Sequence, residues 1–102
     1  MSKNKEKQEG EKNYVELIRQ EVIEKTDLRS EERQLIDLYS LLALIKPGQV
    51  TMKDVHDAWS VWMNNKNPEH KSLIYFERLT KEVQLLDREY MEAINLIKPK
   101  QP

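Results

Sequence analysis

Thr51-Met52-Lys53-Asp54-Val55-His56-Asp57-Ala58-Trp59-Ser60-Val61-Trp62-Met63 is the run on which the reading of the fold turns. Val55, Ala58, Trp59, Trp62 and Met63 recur at i, i+3, i+4, i+7 and i+8, an unbroken apolar stripe along one face of a helix. Thr51 stands where an N-cap is needed. Asp54, three residues on, takes the acidic position of a capping-box-like pair. His56 lies beside the stripe, near Trp59 and Ser60. The polar run Asn64-Asn65-Lys66-Asn67-Pro68 is turn chemistry and ends the helix.

Toward the C-terminus, His70 to Tyr75 reads as extended chain or a short turn. No second strand-like run exists to pair with it, so no sheet is expected. Phe76 to Leu79 suits one short helical turn. Thr80 then caps a last helix with Glu82 in its first turn, and Val83, Leu86, Tyr90, Ile94 and Ile97 form its apolar face. Lys98-Pro99 stops it.

Toward the N-terminus, Lys46-Pro47-Gly48 stops a preceding helix in the same way. That helix runs to Ile45 from a cap at Ser30, with Glu31 and Glu32 in its first turn. Between Leu35 and Ile45 only Asp37 and Ser40 are polar. A helix apolar nearly all round is either central to a bundle or shares its spare face with another subunit. A first helix is expected from Tyr14 to about Glu24, with Tyr14, Val15, Leu17, Ile18, Val22 and Ile23 mostly on one side. Residues 1–13 alternate Lys and Glu with no apolar residue after Met1. Such a segment cannot offset its ordering entropy and reads as a disordered tail. The expected organisation is one domain over 14–98, flanked by tails at 1–13 and 99–102. Its fold class is all-α: a small bundle of about four helices, with an ordered loop around residues 64–79.

Bulk properties remove several classes of function. A chain of 102 residues suits one domain and is too short for two. A net charge of −1 supplies no field for nucleic acid or an anionic membrane. With no cysteine, disulfides, zinc–thiolate sites and thiol catalysis are excluded. The first residues lack a signal-peptide apolar region, and no apolar run approaches the ~20 residues of a membrane span. A cytoplasmic location is expected.

The candidates for chemistry are few. His56 and His70 match no short metal-ligand spacing, so neither a metal nor a cofactor is expected. No nucleophile turn and no glycine-rich phosphate loop is present, and an enzyme is not expected. Trp59 and Trp62 each carry ~150–250 Å² of apolar surface and can anchor a small core. Trp59, at the stripe's edge beside His56, can alternatively keep a face open as a stacking platform for a base. Asp87-Arg88 reads as a surface ion pair, and His70 as a polar cap over the extended segment.

These residues resemble the RyR domain, a repeat of ryanodine receptors that also occurs in small bacterial and phage proteins. That repeat pairs (Val/Ile)-His-x-x-Trp with a later His-Pro-x-Leu-Val-Pro-Tyr-x-x-Leu, an acidic helix start and Asp-Arg. Here Val55-His56-Asp57-Ala58-Trp59 matches the first element and His70-Lys71-Ser72-Leu73-Ile74-Tyr75-Phe76-Glu77-Arg78-Leu79 the second. Glu82 with Asp87-Arg88 matches the third. The chain departs from the repeat in three ways. The Trp-to-His loop shrinks to Asn64–Glu69, Lys71 and Tyr75 replace prolines, and Met63 replaces a basic residue. Over 14–97 the chain is also similar to a group of small bacterial and phage proteins with the same Val-His-x-Ala-Trp core.

The resemblance implies non-enzymatic binding of a nucleotide or related phosphate-bearing small molecule, as in sensing or sequestering a nucleotide signal, immune signals included. By position, Trp59 would stack on the base and His56, His70 and Tyr75 would line the site. Arg88 would meet phosphate or organise the loop through Asp87. The alternative is an assembly or protein–protein interaction subunit, with the second helix and the Trp stripe buried between chains. A homo-oligomer is expected in either case, with no nucleic-acid or membrane partner.

Overall fold

The computed structural model describes residues 12–100. The fold is all-α, with no strand among the described residues. Helix α1 spans Tyr14–Lys25, α2 Arg33–Ile45 and α3 Met52–Lys66. The last helical stretch is split into α4, Lys81–Leu85, and α5, Arg88–Asn95. The tail expected over 1–13 lies outside the described residues up to residue 11. Asn13, placed in that tail by composition, instead caps α1, its side chain accepting from the Glu16 N–H at 2.9 Å.

Helix α2 is the hub, packing on α1, α3 and α5. Leu35, Ile36, Tyr39, Ser40 and Ala43 form its buried face. Against them lie Ile18 and Val22 of α1, Val55 and Trp62 of α3, and Ile94 and Ile97. Each such aliphatic side chain contributes about 1.5–3 kcal/mol by leaving water. Burial of α2 is less complete than its composition suggested, because Leu41 and Ile45 are 50% and 61% exposed. In α1 only Ile18 and Val22, one turn apart, are buried; Tyr14, Val15, Leu17 and Ile23 face out.

The caps and stops follow local chemistry. Thr51 and Asp54 form the reciprocal capping box, and Thr80 caps α4 by accepting from the Val83 N–H. Ser30, expected to cap α2, instead opens a single 3₁₀ turn, Ser30–Glu32, ahead of it. The Arg29 N–H there donates to the Glu32 carboxylate at 2.8 Å. After α2, Gly48 takes a φ of 73°, a left-handed conformation that suits glycine. Two polar ties set the α2–α3 connection. Lys46 Nζ donates to Asp54 Oδ2 at 2.6 Å. The Asn95 amide pairs with the Val50 backbone in both directions, at 2.8 and 2.9 Å.

The segment over residues 64–79 is an ordered loop, as expected. Turn bonds run from His70 N–H to the Asn67 carbonyl and from Leu73 N–H to the His70 carbonyl. A 3₁₀ turn comes next at Phe76–Arg78, and Leu79 is buried.

The last helix differs from its sequence reading. The N–H groups of Leu86 and Asp87 donate to the Val83 and Gln84 carbonyls, three residues back rather than four. This tightened turn rotates α5 relative to an unbroken helix. Leu86, expected on the apolar face, is 70% exposed. Ile94 and Ile97 are buried as expected, joined by Ala93.

Candidate functional site

Two side chains on α3 begin the site. His56 is only 3% exposed, although it lies off the centre of the apolar stripe. Its Nε2 is 2.7 Å from the Ile74 carbonyl oxygen. A carbonyl can only accept, so Nε2 carries the proton and the neutral ring keeps its lone pair on Nδ1. This bond ties the 64–79 loop to α3. One turn on, the Trp59 ring lies nearly parallel to that of His56 with centroids 5.7 Å apart. Trp59 packs against the core while remaining partly exposed.

The loop supplies His70. Its ring stands almost perpendicular to Trp59, centroid to centroid 5.1 Å. The Ser72 N–H donates to His70 Nδ1 at 3.0 Å, which places the neutral ring's proton on Nε2. The polar-cap role read from the sequence and a place in the site are therefore compatible: Nδ1 holds the loop while Nε2–H has no partner among the described hydrogen bonds.

His56, Trp59 and His70 line a cavity of about 330 Å³. Tyr39 and Leu35 of α2, Trp62 of α3 and Tyr90 of α5 form further wall. The tightened turn after α4 delivers Asp87 to the same cavity, beside Leu86. Trp62 is thus both core and wall, and Lys66 Nζ sits 4.4 Å from its ring centroid on the cation–π face.

Besides His70 Nε2–H, three further polar groups of this cavity stand without a partner among the described residues. Tyr39 is 1% exposed, and its hydroxyl forms no hydrogen bond among the described residues. No fully enclosed side-chain oxygen or nitrogen of the described residues lacks a partner. The residual exposure of Tyr39 is therefore at its hydroxyl, which opens into the cavity. The same reasoning places His56 Nδ1 against the cavity space. Asp87 has no side-chain cap bond and no ion pair. Burial pushes its carboxyl up to about 6, opposed by the charge His56 carries when its ring is doubly protonated. Burial likewise raises the Tyr39 phenol, reinforced by the Asp87 charge. Tyr90 is the contrast: its hydroxyl donates to Asp27 at 2.7 Å.

Of the six residues singled out from the sequence, four converge: His56, Trp59, His70 and Asp87. Two do not. Tyr75 is 75% exposed and lines a separate, more open groove of about 780 Å³, with Val61, Ile74 and Arg78. Arg88 is exposed, forms no ion pair with its neighbour Asp87, and does not line the cavity. The turn that swings Asp87 inward accounts for the separation of this pair. Tyr39 and Tyr90 were missed. Tyr39 fell inside an apolar run that reads as core, and its bare hydroxyl is visible only once its neighbours are placed.

A polar groove of about 490 Å³ adjoins the cavity and shares Leu28, Glu32 and Tyr90 with it. Arg29 and Lys66 stand there with Asp27 and Glu31. No group of three or more metal-ligating side chains is assembled among the described residues. None of the described helices is long and apolar enough to cross a membrane.

A family model described as "Domain of unknown function (DUF7701)" matches residues 11–99, and the chain belongs to that family. No curated protein and no solved structure matches it.

Proposed function

We propose that this DUF7701 domain is a non-enzymatic binding module for a small planar ligand of nucleotide type, held in the Trp59–His70–Asp87 cavity. One observation carries the reading: an aromatic-walled cavity into which the Tyr39 hydroxyl, His56 Nδ1 and the Asp87 carboxylate all open without partners. Unsatisfied polar groups on well-buried side chains are costly. A ligand that satisfies them recovers that cost as affinity. At about 330 Å³ the cavity lies at the small end of ligand sites. It suits a ring system, with the remainder of the molecule in the adjoining groove.

The likeness to the RyR repeat supports the same reading, since Trp59, His56 and His70 occupy the positions of its motifs. The structure alters one role. Arg88 does not line the cavity, and Arg29 and Lys66 stand at the neighbouring groove as cations for a phosphate. Sensing or sequestering a nucleotide signal would result from such binding, in a bacterial or phage setting.

The test is a melting curve of the full chain with and without millimolar nucleotides. A ligand at 100 times its Kd raises stability by about 2.7 kcal/mol. The binding reading predicts an upward shift with at least one nucleotide, and reduction of that shift in Trp59→Phe. No shift with any of them removes the reading.

Helix α2 favours a second reading. Leu41 and Ile45, one turn apart, leave an apolar strip on its outer face. In an assembly subunit this strip would meet its copy across a two-fold axis. Light scattering at high micromolar concentration decides: a monomer mass ends that reading.

A further inference from the structure

We infer that the cavity selects a guanine-type ring, one presenting adjacent N–H and NH₂ donors to Asp87, over rings whose matching edge carries an acceptor. This rests on the proposed ligand-binding role and adds the identity of the base.

Donors and acceptors around the cavity decide the choice. Asp87 lines it with its carboxylate free of any cap bond or ion pair among the described residues, whereas Glu32, the other carboxylate in the wall, already accepts from the Arg29 N–H. A carboxylate accepts at two oxygens side by side, so its best partner is a pair of parallel donors on one planar edge. Among the unmodified bases in neutral form, guanine presents that pair at N1–H and the 2-amino group. Adenine and cytosine place an acceptor nitrogen beside their amino group, and uracil places a carbonyl on each side of its N–H. An acceptor set against an ionised carboxylate is repelled. Guanine also carries an acceptor oxygen next to N1–H. The cavity holds a matching donor in the Tyr39 hydroxyl, which belongs to a side chain 1% exposed and has no partner. No lysine or arginine lines the cavity among the described residues, so its polar chemistry is addressed to a ring edge rather than to a phosphate. The Trp59 indole supplies the stacking surface, which every base can use and which therefore does not discriminate.

The experiment is titration calorimetry of the full chain at pH 7 with guanosine, inosine and adenosine monophosphates, repeated on Asp87→Asn. Inosine monophosphate keeps N1–H and the ring oxygen but lacks the 2-amino group. Guanosine monophosphate is expected to bind at least about tenfold more tightly than either of the others, the discrimination of one good bidentate pair. In Asp87→Asn that preference is expected to disappear. Adenosine or inosine monophosphate binding as tightly as guanosine monophosphate would overturn the inference and leave the ligand-binding reading standing. So would unchanged guanosine preference in Asp87→Asn. Absence of heat with all three, together with no melting shift across a full nucleotide panel, would overturn both.

Discussion

Tyr39 and Ser40 are neighbours on α2, both buried, and they divide the molecule between them. The Ser40 hydroxyl donates to the Ile36 carbonyl at 2.7 Å and is finished within its own helix. The Tyr39 hydroxyl has no such partner and looks into the cavity. Away from the cavity the interior is closed, with Ile36, Ile94, Ile97 and Val22 all at or below 1% exposure. On the Tyr39 side two histidines, two tryptophans and two carboxylates surround open space. One hydrophobic core thus has a half that only packs and a half that packs around an unmet demand for hydrogen bonds. The comparison separates two kinds of change: those on the closed side should affect melting alone, and those on the cavity side should affect affinity as well.

The largest expected effect lies on the closed side. Ile94→Ala should destabilise by about 2–5 kcal/mol, since the side chain is fully enclosed and the helices around it cannot close the void. Chemical denaturation gives the value, and a loss under about 1 kcal/mol would show that the core is looser than its burial implies. His56→Ala comes next, at about 1–3 kcal/mol, because it removes the partly buried bond to the Ile74 carbonyl and frees the loop. His56 lies beside the α3 stripe rather than on it, and its contribution to stability comes from the 2.7 Å bond. A melting curve equal to wild type would mean the loop is held elsewhere, for instance by the Gln84 side chain donating to the Phe76 carbonyl.

Asp87→Asn should stabilise. Burial raises the folded-state pKa from an ordinary value near 3.8 to about 6, so the folded chain holds this proton more tightly than the unfolded chain. Stability from this group is therefore present below about pH 4 and lost as pH rises through about 6. The asparagine carries no such loss, and at pH 7 it should gain about 1 kcal/mol, allowing for solvent screening of a half-buried carboxylate. Melting at pH 4 and pH 7 checks the sign: the advantage should shrink at the lower pH. The smallest effect is expected for Tyr39→Phe, within about 0.5 kcal/mol, because no hydrogen bond is lost. A loss of about 1 kcal/mol or more would mean that the hydroxyl is already satisfied, and the contrast with Ser40 would fail.

Much of this architecture was legible in the chain. The α3 stripe, the Thr51–Asp54 box, the Thr80 cap and the Lys-Pro stops are local signals, read within one or two helical turns. They placed the helices; the resemblance to the RyR repeat added His56, Trp59, His70 and Asp87 as site residues, with Tyr75 and Arg88. Leu86, Tyr75 and Arg88 were misplaced because periodicity and spacing assume regular, uninterrupted elements. One tightened turn at Leu86 and Asp87 puts Leu86 outside while Ile94 and Ile97 stay on the core, and the folded course of the loop turns Tyr75 outward.

What the sequence determined by itself was the set of helices, their ends and the aromatic residues clustered along α3 and the loop. Short-range hydrogen bonding and apolar spacing are complete within a few residues and need no knowledge of the rest. Only the tertiary structure decided which polar groups are satisfied. Tyr39, His56 and Asp87 come from three different helical elements, and whether each finds a partner depends on groups far away in the chain. The cavity is the space left where the closed packing of α2 against α5 gives way to the α3 aromatics and the loop. No local pattern records a gap between distant side chains.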